Sequence, residues 1–406
     1  MSVGARLAAL AAVAGLATLP LWAPRFLLTV AAEVLIFGIA ATSLNLLLGY
    51  TGLVSMGHAA FFAMGGYTAG LFAKHVTPLF WATVPVGMAA AAALAVVVGA
   101  FALRTTAVTF LMITLAVGQM LYALAIKWRT VTGGSDGLLG IPRPTGLGIE
   151  MDAPRMYLVA LIAYLLVLWF LRRLLDAPFG RTLVGIRENE GRLRALGCNV
   201  QAYKLAAFVV AGALAGLAGV LFGQFNRFIS PSEIHWHRSG QLMIMIVIGG
   251  VHSLIGPLLG AFVVVAIQDL VSSLLTQRWM TVMGFVFIGF VLVARGGLVG
   301  LWGNAVRRWG RQPADGGLAP DLPAAGRQIS GTPTSGSPAS GAAAPGVGAP
   351  NVGAPGMGAP SVAAPGVAAP GVGAPSAGAP GVTADAGAPG LPVPDAPARG
   401  ADPPGG

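Results

Sequence analysis

The first 294 positions consist largely of apolar runs of a length that few folds can use. Windows dominated by Ala, Leu, Val, Ile, Phe and Gly centre near 5–21, 29–48, 53–73, 80–101, 106–126, 156–171, 205–224, 241–275 and 279–294. A helix that crosses a bilayer needs roughly 20 such residues. A water-exposed surface cannot be assembled from a chain with 55% hydrophobic and 9% charged residues. The fold class that follows is all-α, a polytopic transmembrane helix bundle of about eight to ten segments lying in a lipid bilayer, because only intra-helical hydrogen bonding satisfies so much backbone in lipid.

Proline marks where this regime stops. Of the 29 prolines, 19 fall between Gln312 and Gly406. From Pro345 to Pro380 one recurs at every fifth position, in units such as Gly348-Ala349-Pro350. A segment with so little to bury is expected to stay disordered. The chain therefore divides into a transmembrane domain over 1–311 and a Pro/Gly/Ala-rich low-complexity tail over 312–406. Charge divides at the same place: residues 1–311 carry 22 Lys/Arg against 9 Asp/Glu, and the tail carries 2 against 5, which together give the net +10.

The basic excess is concentrated. Arg172, Arg173, Arg181, Arg187, Arg192, Arg194 and Lys204 lie in one loop between two spans. Lys/Arg-rich short loops stay cytoplasmic, so this loop is expected inside, with an external loop near 127–155 and a second at 225–239. Arg295, Arg307, Arg308 and Arg311 suggest a cytoplasmic C-terminus and tail. Reconciling these requires an odd number of crossings between 240 and 294. The stretch Gly249-Gly250-Val251-His252-Ser253-Leu254-Ile255-Gly256-Pro257 is where one long apolar run breaks into a short or re-entrant segment and a full one. Residues 1–22 also fit a cleaved secretory signal, although the charge parity favours a retained first helix. No basic cluster is interleaved with aromatics, so the charge points to membrane sidedness and not to nucleic acid.

Enzyme signatures are missing. No Gly-x-x-x-x-Gly-Lys-[Ser/Thr] loop occurs, so the chain is expected to bind no ATP and no cofactor itself. The lone Cys198 excludes a disulfide framework, and Glu233, His235 and His237 lack the further ligands of a metal site. No catalytic residue and no metal is expected. Glu33 and Asp269 are among the few ionisable groups inside spans, read as lying at helix ends or facing a polar crevice. A stand-alone proton-coupled carrier needs a deep carboxylate, and only Asp269 qualifies.

Three stretches carry more. Gly212-x-x-x-Gly216 and Gly219-x-x-x-Gly223 put glycines on one helix face, where a second helix can approach closely. Gly49-Tyr50-Thr51-Gly52-Leu53-Val54-Ser55-Met56-Gly57-His58 interrupts helix periodicity with hydroxyls and an imidazole, just after Asn45. Asn45, Thr51, Ser55 and His58 are therefore candidates for lining a path. In the basic loop, Ile186-Arg187-Glu188-Asn189-Glu190 through Leu193, Leu196 and Gly197 predicts a short amphipathic helix ending at a Gly cap, suited to docking on a soluble partner.

Several of these stretches together resemble LivM-type permeases, the membrane subunits of branched-chain amino acid ABC importers. The run Leu44–Phe62, the Thr132–Gly137 segment, the Gly180–Gly197 loop continuing to Lys204-Leu205, Ile229-Ser230-Pro231 and Gly249–Gly260 form a collinear set over about residues 30–295. The resemblance implies a bacterial inner-membrane permease that pairs with a LivH-type second permease, two ATP-binding cassette subunits that hydrolyse ATP, and an extracytoplasmic substrate-binding protein. It also implies a coupling helix in the Gly180–Gly197 loop, with Arg181, Arg187, Glu188, Asn189, Glu190 and Gly197 facing the ATPase. His252 and the His235-Trp236-His237 run depart from the family pattern and leave urea or short-chain amides open as alternative substrates. A stand-alone secondary transporter is the remaining alternative.

Overall fold

The computed structural model describes residues 3–146 and 149–274, together with Gly284, Gly289, Gly297, Leu298 and Gly300. The last predicted span, the C-terminal arginines and the 312–406 tail lie outside the described residues apart from those single positions.

The apolar windows become helices: α1 (Val3–Trp22), α2 (Arg25–Asn45), α3 (His58–His75), α4 (Phe80–Ala102) and α5 (Ala107–Lys127). A single turn, α6 (Arg129–Thr132), precedes the connection to α7 (Ala153–Asp176), which is followed by α8 (Pro178–Ala195), α9 (Val200–Asn226), α10 (Trp236–Gly249) and α11 (Gly256–Leu274). Among the described residues, five stretches are long and apolar enough to cross a membrane: 25–51, α4, α5, α7 and α9. The only sheets among the described residues are two-residue pairs in the connections. Strand β1 (Leu138–Leu139) pairs antiparallel with β4 (Phe228–Ile229), and β2 (Thr145–Gly146) pairs with β3 (Ile149–Glu150).

The architecture is a bundle with an inner and an outer set of helices. The most apolar windows of 25–51 and of α9 are 72% and 67% buried, against 22% for that of α5. On α4, α5 and α7 the outer faces show Val97, Phe101, Met112, Met120, Leu166 and Trp169 to the surroundings. Such side chains in the open belong against lipid or another membrane chain.

Close approach at the centre rests on small residues. A β-carbon at Gly219 would run into the carbonyl of Phe62, one at Gly65 into the backbone of Gly216, and one at Gly212 into Ala95. The glycine stripe of α9 thus lets α3 and α4 pack backbone to backbone, the packing its spacing predicts. Rings close the space above and below. Phe37, Phe62 and Phe222 form one group, with centroids 5.4–6.0 Å apart, and Phe208 stands edge-on to Phe61 and Phe110.

Three boundaries differ from the sequence reading. The predicted span at 53–73 begins at His58, because α2 runs on through a π-helical turn over Leu46–Thr51 and Gly52 then adopts φ +76°. The basic-loop helix starts earlier, with Pro178 in its first turn, and kinks at Asn189 (φ −157°, ψ 92°). Trp236 and His237, read as external loop, instead form the first turn of α10, because His235 Nδ1 accepts the His237 amide as an N-cap. The break at 249–257 lies where expected, between α10 and α11.

Candidate functional site

Three parts of the chain that are remote in sequence meet around the π-helical turn. Arg187 of α8 donates from its guanidinium to the carbonyl of Gly49, and the same side chain lies over Gly52, where an added β-carbon would sit 3.0 Å from its Cγ. Asn45, the last residue of α2, donates from Nδ2 to the carbonyl of Ser253 at 2.9 Å, inside the α10–α11 break. A β-carbon at Gly49 would collide with the carbonyl of Val251 and lie 2.6 Å from Asn45 Oδ1. Only glycine fits there, so the turn sits directly between α8 on one side and the break on the other.

The helix α8 is amphipathic in the predicted sense. Gly180, Leu183 and Ile186 are buried, while Arg181, Glu188 and Asn189 are exposed. At the kink, Asn189 Oδ1 accepts from the Arg192 amide at 2.9 Å, capping a second helical piece. Glu190 holds Lys204 Nζ at 2.6 Å and Arg194 at 2.8 Å, which ties that piece to the start of α9. Gly197 turns out of the helix at φ +80° in open space, beside Leu196, which is 76% exposed. Of the residues singled out in this loop, Arg187 and Glu190 bond to other elements of the chain, Asn189 caps the second piece, and Arg181, Arg187, Glu188, Asn189 and Gly197 are all exposed.

The path candidates are all enclosed. Asn45, Thr51, Ser55 and His58 are at most 3% exposed. Thr51 Oγ1 bonds back to the Leu46 carbonyl at 3.0 Å, and His58 Nε2 meets Ser43 Oγ at 2.8 Å. Among the described residues, Ser55 Oγ, His58 Nδ1 and Asn45 Oδ1 have no hydrogen-bond partner. An unpaired buried polar atom costs on the order of 1–3 kcal/mol. The starts of two helices meet beside it: the Ala59 amide of α3 donates to Ser239 Oγ of α10 at 3.0 Å.

A second polar group lies at the start of α10. Arg238 pairs with Glu233 at 2.5 Å, donates to Gln241 Oε1 at 2.7 Å and stacks over the Phe37 ring at 5.0 Å. Glu33 of α2 lies within electrostatic reach of Arg238, Asp269 and Glu233. Sequence reasoning missed Arg238. The available signal was a lone arginine five residues after Glu233, in a stretch read as loop. The imidazoles of His235 and His237 face each other at 5.6 Å between centroids, and His252 is exposed at the break.

A family model described as branched-chain amino acid transport system / permease component matches residues 26–294. The high-affinity branched-chain amino acid transport system permease protein LivM of Escherichia coli (strain K12) is 30% identical over 278 residues, covering 63% of this chain and 65% of its own length. The protein of the same description from Salmonella typhimurium is 29% identical over a stretch of equal length. The autoinducer 2 import system permease protein LsrC of Enterobacter sp. (strain 638) is 29% identical over 231 residues, 53% of this chain and 64% of its own. The chain thus spans just under two thirds of the length of these curated relatives. No solved structure matches.

Proposed function

The chain belongs to the branched-chain amino acid transport system permease family, and from that premise we propose that it is the LivM-type membrane subunit of an ABC importer for branched-chain amino acids. In this reading it forms the translocation path with a LivH-type second permease. It binds no cofactor, while two ATPase subunits hydrolyse ATP and an extracytoplasmic protein delivers substrate. It acts as a transporter and not an enzyme, in the bacterial inner membrane, with its tail in the cytoplasm. The relatives named LsrC belong to an autoinducer 2 import system, so other cargo is served by similar chains, and urea or short amides are the competing substrates.

The observation that carries the mechanism is the stack of α8, the π-helical turn and the α10–α11 break. The exposed Arg181, Glu188, Asn189 and Gly197 form the surface on which an ATPase subunit docks. When the ATPases close, α8 moves, and Arg187 carries the displacement to Gly49. Asn45 passes it to Ser253 and hence to the broken hairpin. A packed interface with two discrete arrangements converts a small displacement into a change of access. The ATPase biases the equilibrium only by the difference in its contact energy between the two states. Asn45, Thr51, Ser55 and His58 then lie beside the moving hairpin, where their buried polar groups become accessible in one of the states.

The test is ATP-driven leucine uptake by proteoliposomes holding the full set of subunits, alongside vesicles with this chain alone. Uptake only by the full set supports the reading, and uptake by the chain alone overturns it in favour of a secondary carrier. Deleting Arg187–Gly197 is expected to abolish co-purification of the ATPases while the chain stays in the membrane. Co-purification at wild-type yield overturns the docking role of α8.

A further inference from the structure

A half-open pocket of about 370 Å³ lies where α7 ends beside the α10–α11 break. One face of α7 supplies Leu168, Arg172, Leu175 and Asp176, spaced at i, i+4, i+7 and i+8. Leu254 and Ile255 of the break and Tyr50 of the π-helical turn complete the lining. Aliphatic side chains from two elements therefore share one small pocket with a guanidinium and a carboxylate a helical turn apart. The pocket sits at the boundary of a span. The apolar run of α7 ends at Leu171, and Trp169, 67% exposed, stands at the level where aromatic side chains meet lipid headgroups.

Asp176 is not explained by its helix. A carboxylate at a helix C-terminus opposes the dipole, yet Asp176 is the last residue of α7 and is exposed. Among the described residues it forms no ion pair within 4 Å, with Arg172 or any other base. Arg172 has a partner in the chain, and its five N–H groups allow a guanidinium to serve a phosphate as well. A lone anion in this pocket would face Asp176, and a lone cation would face Arg172. A ligand carrying both charges offsets each of them. The apolar wall adds a further requirement, because Ile255 is 56% exposed and is covered best by hydrocarbon.

We infer that this pocket holds the headgroup of a zwitterionic phospholipid with a primary ammonium, of the phosphatidylethanolamine class. Its phosphate lies on Arg172, its ammonium on Asp176, and the start of an acyl chain against Leu168 and Ile255. A phosphatidylglycerol has no cation for Asp176, and the methylated ammonium of a phosphatidylcholine has no N–H to donate to it, so both are held more weakly. Because Leu254 and Ile255 belong to the break, the bound lipid ties α7 to the α10–α11 hairpin.

Native mass spectrometry of the full chain in detergent tests this, with short-chain phosphatidylethanolamine, phosphatidylglycerol and phosphatidylcholine, and with phosphoethanolamine as the headgroup alone. Phosphatidylethanolamine is expected to bind about tenfold more tightly than the other two lipids, the effect of one charge-assisted hydrogen bond, and phosphoethanolamine not to displace it. Asp176→Asn is expected to abolish that preference, and Arg172→Gln to weaken phosphatidylethanolamine and phosphatidylglycerol alike. The same lipid is expected to raise the thermal midpoint of the wild type by several degrees and to leave Asp176→Asn unmoved. Asp176→Asn, at an exposed position, decides the matter if Arg172→Gln does not fold. Equal affinity for all three lipids means annular lipid only and overturns the site, as does a preference that survives in Asp176→Asn. Phosphoethanolamine binding as tightly as the lipid overturns the lipid in favour of a soluble zwitterion. Loss of ATPase co-purification in Asp176→Asn with the lipid preference intact assigns Asp176 to the ATPase surface and overturns it too.

Discussion

Arg187 and Gly49 lie 138 residues apart, and the guanidinium of the first donates to the carbonyl of the second. The donor sits on the amphipathic helix α8 and the acceptor on the turn in which α2 loses its regular hydrogen bonding. A bond from a charged group to a backbone oxygen contributes about 1.5–3 kcal/mol, so Arg187→Ala is expected to lower stability by that order. Its larger effect is expected on coupling. ATP-driven uptake falls more than tenfold, while the ATPases still co-purify through Arg181, Glu188 and Asn189. Arg187→Lys keeps the charge without the planar fork and recovers part of the loss. Wild-type uptake by the alanine variant would show that the contact transmits nothing.

The next step of the same stack is tested at Asn45. Its side chain is fully buried, and it holds the Ser253 carbonyl in the α10–α11 break. Asn45→Leu removes the donor, leaves that carbonyl unpaired and crowds Gly49, for about 1–3 kcal/mol. Thermal unfolding in detergent is expected to shift down by several degrees, and limited proteolysis between 250 and 255 to speed up. An unchanged cleavage rate would mean the break is held by other contacts.

The helices were legible because lipid imposes one rule on every span, and a run of about 20 apolar residues satisfies it wherever it occurs. The break between α10 and α11 was equally plain, since Gly249, Gly250, Gly256 and Pro257 oppose a continuous helix locally. What the sequence did not disclose is pairing at long range. Nothing local in Arg187 distinguishes it from Arg181 or Arg192, yet it alone of the three reaches Gly49. Arg238 was hidden for a different reason. His235 caps α10 earlier than the apolar run begins, which draws a charged residue into the bundle that hydropathy assigns to a loop.

The glycine stripe of α9 predicts a sharp contrast between positions. At Gly219 an added β-carbon meets the carbonyl oxygen of Phe62, backbone that cannot yield cheaply. Gly219→Val is therefore expected to cost about 3 kcal/mol or more through overpacking, and to remove most folded protein in fluorescence-detected gel filtration. At Gly15 of α1 nothing lies within 4 Å of such a carbon, and Gly15→Ala is expected to change stability by no more than about 0.5 kcal/mol. Equal yields of the two variants would contradict the close packing of α3 on α9.

His235 connects α10 to pH. Burial, reinforced by the neighbouring His237, holds its imidazole below the ordinary 6.5. Its Nδ1 must also be unprotonated to accept the His237 amide, and a positive ring at a helix N-terminus opposes the dipole. The folded pKa is below the unfolded one, so the native state binds fewer protons. Stability is then complete above about pH 6.5 and declines as pH falls through the unfolded value to the folded one. Thermal unfolding at pH 7.5 and 5 is expected to show a smaller acid shift in His235→Asn, which keeps a capping oxygen without the charge. Equal acid shifts in the two proteins would remove His235 from the account.

Glu233 and Arg238 are a buried pair, with side chains 8% and 18% exposed, and such pairs show their energetics when halved. Glu233→Gln leaves the guanidinium without its counter-ion, and breaking a buried pair from one side costs about 3–5 kcal/mol. The double variant Glu233→Leu/Arg238→Met removes both charges at once. It is expected to regain at least half of that loss, short of full recovery, because the stacking of Arg238 on Phe37, worth about 1–2 kcal/mol, is gone. The measurement is a double-mutant cycle of thermal stability in detergent over Glu233→Leu, Arg238→Met and their combination, with leucine uptake in parallel. A double variant that regains stability without uptake would assign the pair to transport. One that regains both would mean that the pair holds the start of α10 in place and does nothing more.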